Sequence, residues 1–124
     1  MLLVDTSVWI EYLKAKQPFH SRLAAKLAEN SVITSGIVFG ELFQGAKTKR
    51  ENELLEQLYE NLPDFTEQEM FLQAGRYSQE ERLYAKGVGL IDSFLIVYAR
   101  SQNAQIWSLD KKLKSVLAET EIFE

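Results

Sequence analysis

Three short strand candidates govern what this chain can become: the apolar run Leu2 to Val4, closed by a polar cluster, and the segments Ser31 to Thr34 and Gln105 to Leu109. A continuous apolar run of this length is what a strand buried on both faces of a parallel sheet presents, whereas a half-exposed strand alternates. Between the runs, apolar residues recur at helical spacing. Val8, Trp9, Tyr12 and Leu13 mark one helix, opened by the capping chemistry of Asp5-Thr6-Ser7, and Leu23 and Leu27 mark a second that ends near Asn30. Gly36 precedes a third with Ile37, Val38, Leu42 and Phe43, and Leu54, Leu55, Leu58 and Leu62 trace a fourth that Pro63 stops. A weak strand is expected near Asp64 to Thr66, then a charge-rich helix from about Glu67 to Lys86. The segment GVGLIDSFLIVYARSQ predicts a helix apolar almost all round, hence buried, beginning near Asp92. Asp110 opens a short helix with Leu113, Val116 and Leu117, and Glu121 to Phe123 is expected as an edge strand. Strands alternating with helices predict an α/β chain, a three-layer α/β/α sandwich on a mostly parallel sheet with right-handed crossovers. Residues 1–124 fit one domain, without internal repeat or linker.

Composition narrows the chemistry. There is no cysteine, so disulfides, thiolate metal sites and cysteine nucleophiles are excluded. No apolar run reaches the roughly 18 residues of a membrane span, and no basic run leads into the first apolar segment, so a cytoplasmic protein with no membrane association is expected. A net charge of −4 argues against broad electrostatic coating of a nucleic acid. Local positive charge stands at Lys47, Lys49 and Arg50 and at Lys111, Lys112 and Lys114, which read first as solvated helix faces.

The acids are more informative. In an open parallel sheet the functional crevice lies beyond the carboxyl ends of the strands. Asp5 ends the first strand and Asp110 follows the strand QIWSL, so both project from one edge, and Asp92, near the start of the buried helix, can reach it. Singly, each aspartate reads as a helix cap. Glu41 interrupts the apolar stripe of Val38, Phe39, Leu42 and Phe43, where it either rims the stripe in water or needs a partner. Converging carboxylates repel one another, and divalent metal is the natural remedy. Oxygen-only donors suit hard cations such as Mg²⁺ or Mn²⁺, whose chemistry with such donors is phosphodiester hydrolysis.

With those acids placed, the sequence resembles PIN-domain ribonucleases, and among them the VapC toxins of type II toxin–antitoxin systems. LLVDTSVWIEYL resembles the family's opening strand with its first acid, SGIVFGELFQGAK the helix of the second, and VGLIDSFLIVYARSQNAQIWSLDKKL the stretch carrying the third and fourth. The resemblance covers essentially the whole chain. It implies an endoribonuclease dependent on Mg²⁺ or Mn²⁺ that acts on RNA, forms a homodimer and is inhibited by a small cognate antitoxin. Asp5, Glu41, Asp92 and Asp110 then take the catalytic positions, with Asp5 and Asp92 as principal metal ligands and Asp110 as a direct or water-mediated third. Glu41 either handles the attacking water or completes a second metal site. Ser108 and Thr6 are candidates to orient the carboxylates by hydrogen bonds. One departure is that Lys111, Lys112, Leu113 and Lys114 stand where many relatives carry a further acid or amide, which favours one metal over two.

Trp9, Phe39 and Phe43 read as core or dimer contacts before base-stacking ones, and Phe39, Phe43 and Leu55 exceed what one core is expected to bury. His20, in an apparent loop, is neither base nor ligand. A D-x-D phosphatase is disfavoured because Ser7 stands two after Asp5, a receiver domain by the missing acidic pair, and a dinucleotide fold by an incomplete glycine fingerprint at Gly87-Val88-Gly89. The rival of another class is a non-catalytic PIN-like domain that binds metal or protein.

Overall fold

The computed structural model describes all of residues 1–124. The expected runs become β1 (Leu2–Val4), β2 (Val32–Ile33) and β3 (Gln105–Trp107), hydrogen-bonded in the order β2-β1-β3 with every pairing parallel. β1 is central, with Leu2 opposite Val32 on one side and Val4 opposite Trp107 on the other. Its three residues are buried, as a strand covered on both faces requires.

The two weaker strands shrink to single bridges, Thr34 to Asp64 and Ile106 to Ile122. At the first, Pro63 has no N–H to offer a ladder, although its carbonyl still accepts from Thr34 N–H at 3.0 Å. At the second, a 3₁₀ turn over Glu119–Glu121 consumes the residues before Ile122.

Seven helices flank the sheet: α1 (Thr6–Leu13), α2 (Phe19–Ala28), α3 (Gly36–Gly45), α4 (Lys49–Asn61), α5 (Glu69–Glu81), α6 (Leu90–Ser101) and α7 (Lys111–Ser115). α1 packs on α2 and α3, α3 packs on α4, and α5 pairs with α6. These two helix groups flank the sheet, which completes the three layers. The helix expected to run to Lys86 ends at Glu81. Arg82 turns left-handed at φ 53°, Leu83 N–H reaches back to Ser78 O at 2.9 Å, and Arg82 N–H bonds Gln79 O at 3.3 Å. This Schellman closure swings Leu83 into the core, and only a 3₁₀ turn at Tyr84–Lys86 follows. His20 lies inside α2 rather than in a loop, its ring stacked on Tyr12 at 4.9 Å.

Aromatic packing also corrects an expectation. Trp9 and Phe39 are fully buried edge to face at 5.3 Å, Leu55 is buried with them, and Phe43 is half-buried against the same core. One core accommodates these side chains, so they supply neither a base-stacking platform nor the apolar excess that suggested a dimer.

Two tethers set the helices against the strand ends. Tyr98 of α6 donates its hydroxyl to Thr34 O at 2.6 Å and accepts Phe65 N–H at 2.9 Å. Asp64 accepts Gly36 N–H at 2.9 Å, at the start of α3, together with Tyr59 Oη at 2.6 Å and Thr66 N–H at 2.9 Å. Burial alone would raise the Asp64 carboxyl, but these donors outweigh it and hold the group below its usual range. The same bond to Asp64 is the main reason that the Tyr59 phenol is pushed up to about 12.

Candidate active site

β1 has a neighbour on each side, reached by connections that run in opposite directions along the sheet, so its carboxyl end is the switch point where a crevice opens. Asp5 is the first residue beyond that end. Its N–H donates to Trp107 O at 2.9 Å, which sets it beside Ser108 at the end of β3. Its carbonyl accepts from Val8 N–H at 3.1 Å and Trp9 N–H at 3.2 Å and so starts α1, while its carboxylate makes no capping bond. The backbone serves the helix and the side chain is left for the crevice.

Within the crevice, Asp5 Oδ2 accepts from Ser108 Oγ at 2.7 Å and from Ser7 Oγ at 2.9 Å, and no hydrogen bond reaches Oδ1. Ser108 Oγ in turn accepts Asp110 N–H, and Ser7 Oγ accepts Leu109 N–H, both at 3.0 Å. Two hydroxyls therefore tie the end of β1 to the turn after β3. The sequence marked Ser108 but took Ser7 only as capping chemistry. A hydroxyl two residues past an acid at a strand end was the available signal.

The other acids are held differently. Asp110 caps α7, its Oδ1 accepting from Lys112 N–H at 2.8 Å and Leu113 N–H at 3.2 Å, and its second oxygen has no partner. Glu41 is exposed at the rim of α3, with Oε1 accepting from Thr6 Oγ1 at 2.8 Å across from α1. Asp92 is not a cap. α6 starts at Leu90 with Gly89 in the capping position, and the Asp92 side chain in the first turn accepts no hydrogen bond. Burial raises its carboxyl to about 6, and the charges of Asp5, Asp110 and Glu41 add to the rise. Asp5, Asp110 and Glu41 therefore all lie within electrostatic reach of Asp92, and none of the four has a lysine, arginine or histidine within 4.0 Å.

Such a set fits a hard divalent cation in donor chemistry, with free carboxylate oxygens on Asp5, Asp92 and Asp110 and negative charge lacking a counterion. The acids stand apart rather than clustered, since no three come close enough together to enclose an ion as they are.

The model of the family described as PIN domain matches residues 2–118. This chain belongs to the PIN domain family. Ribonuclease VapC32 of Mycobacterium tuberculosis is similar to it, in each of two strains 36% identical over 123 residues, or 97% of this chain and 93% of that one. Membership and this likeness make it a PIN domain of the VapC kind and support a hydrolase of the nuclease class in general. Among solved structures, VapBC2 from Rickettsia felis bound to a DNA fragment from its promoter superposes with a TM-score of 0.70 at 22% identity, covering 99% of this PIN domain and 96% of that chain. FitAcB from Neisseria gonorrhoeae superposes with a TM-score of 0.61, also at 22% identity, covering 91% and 90%. Both are likenesses of fold.

Proposed function

We propose that this PIN domain is an endoribonuclease that uses Mg²⁺ or Mn²⁺ to hydrolyse RNA phosphodiester bonds, and that it is the toxin of a toxin–antitoxin pair. The observation that carries the reading is Asp92, a carboxylate with no hydrogen bond and no cation, raised by burial and by three other acids at the same sheet edge. Isolated buried charge is costly, and a fold that only needed stability would pair it or lack it. Asp5 and Asp92 would hold the cation, with Asp110 as a direct or water-mediated third. When bound, the cation supplies charge against the scissile phosphate and favours ionisation of the attacking water. Glu41, exposed and bonded by Thr6, would orient that water or take its proton. Ser108 fixes the orientation of Asp5 and ties it to the backbone of Asp110.

An antitoxin and a homodimer belong to the same reading. Support for apolar docking comes from Phe65, Phe71, Leu72, Leu90 and Ile91, all exposed. No helix is long and apolar enough to cross a membrane, which accords with a cytoplasmic RNA substrate.

A second reading, a PIN domain that binds a protein partner without cleaving RNA, is favoured by the separation of the acids. RNA cleavage separates the two. Wild type is expected to cleave with Mg²⁺ or Mn²⁺ and stop with EDTA, and Asp5→Asn and Asp92→Asn are expected to be inactive while folded. Cleavage that survives chelation, or that persists in either variant, refutes the metal-nuclease reading.

A further inference from the structure

One lysine close to the acids in the chain, Lys112, has no ionic partner. Lys112 is the second residue of α7, two past Asp110, and its N–H is the one that Asp110 Oδ1 accepts at 2.8 Å. Its side chain leans across to Gly87, in the turn that leads into α6. A Cβ at Gly87 would stand 2.7 Å from Lys112 Cδ and 3.3 Å from both Cε and Nζ. Gly87 has φ 82°, so side chains are disfavoured there by the backbone as well as by space. The lysine stem therefore lies against Gly87, where a larger residue would push it aside.

The two segments that meet at this contact both lead to site acids. α7 opens from Asp110, and Gly87-Val88-Gly89 runs into α6, whose first turn carries Asp92. Lys112 forms no ion pair within 4.0 Å with any carboxylate, and its side chain is exposed. An exposed, unpaired lysine two residues past a site acid is open to an anion from outside. An RNA strand crossing the acids brings such anions, because phosphates flank the scissile one on both sides and the uncompensated carboxylates repel them. A lysine ammonium, a compact charge with three donors, suits a phosphate oxygen there.

We propose that the Lys112 ammonium, seated over Gly87, binds the RNA phosphate next to the one being cleaved and so positions the strand across the acids. This rests on the ribonuclease reading. Lys112 is a positioning residue and takes no part in bond breaking.

The test is steady-state cleavage of a fluorescein-labelled single-stranded RNA with Mg²⁺ at several salt concentrations, with wild type, Lys112→Gln, Lys112→Arg and Lys49→Gln. Anisotropy of the same RNA bound to an Asp92→Asn background, with and without Lys112→Gln, reads binding without turnover. Lys112→Gln is expected to raise KM several-fold with kcat held, and to flatten the log–log salt dependence by about 0.7, the loss of one single-strand phosphate contact. Lys112→Arg should restore both. Lys49→Gln, which removes the same charge from exposed α4, should change neither. The proposal is overturned if Lys112→Gln keeps the wild-type KM and salt slope, if Lys49→Gln matches its effect, or if kcat alone falls. Wild type that cleaves RNA while Lys112→Gln is indifferent overturns this proposal alone. Wild type that neither cleaves nor binds RNA overturns the ribonuclease reading and this proposal with it.

Discussion

Asp92→Asn should make the metal-free protein more stable and catalytically dead, a pairing that follows from the unpartnered carboxylate. The carboxyl rises from 3.8 in an unfolded chain to about 6 in the fold, chiefly through burial and then through Asp5, Asp110 and Glu41. A shift of about two units corresponds to ~3 kcal/mol if nothing screens it, and partial solvent access of this half-buried group reduces that to about 1–2 kcal/mol. The sign follows from proton counting. Between pH 4 and 6 the folded state holds a proton that the unfolded chain has released, so stability falls as pH rises, and the whole cost of this group, about 1–2 kcal/mol, is felt above the folded value. Asparagine carries no charge at any pH and escapes this loss. Urea unfolding in EDTA should therefore find the variant more stable than wild type by about 1–2 kcal/mol at pH 8, and indistinguishable from it below pH 4. With Mg²⁺ at a hundred times its dissociation constant, wild type should gain about 2.7 kcal/mol and the variant less. A variant no more stable than wild type at pH 8 in EDTA, or an advantage that persists at pH 3.5, would refute the account of Asp92 as a destabilising, unpartnered acid.

Two further substitutions address how the crevice is built. Ser108→Ala removes the donor to Asp5 and the acceptor of Asp110 N–H in a buried position, and should cost about 2 kcal/mol by urea unfolding at pH 7. Asp64→Ala frees Tyr59, and its phenol should return from about 12 toward the ordinary ~10 in an ultraviolet titration, with lower thermal stability as the start of α3 loses its tether.

Much of this was legible because burial leaves a plain mark in sequence. β1 is an unbroken apolar run, and the residue that follows such a run in a parallel sheet stands at the crevice, so Asp5 could be placed without the fold. The break at Arg82 could not. Glycine is the usual sign of a left-handed helix end, and here arginine fills that place because the buried Leu83 holds the turn closed. Asp92 was expected as a possible cap and proved to lie past the cap, since Gly89 serves without a side chain and the motif carries no polar residue to announce the helix start. Asp64 gave only the signal of a weak strand. Its tether to Gly36 and Tyr59 joins residues 28 and 5 positions away, and nothing local in the sequence encodes the first of these.

The paired hydroxyls also give the crevice a polarity. An amide can only give its proton, so Asp110 and Leu109 fix the direction of two short chains that pass through Ser108 and Ser7 and converge on Oδ2 of Asp5. Neither chain can run in reverse while those amides stand. The two oxygens of one carboxylate thereby become unlike, one anchored to the scaffold through two serines and the other free of hydrogen bonds, and the direction of both chains is set by main-chain amides.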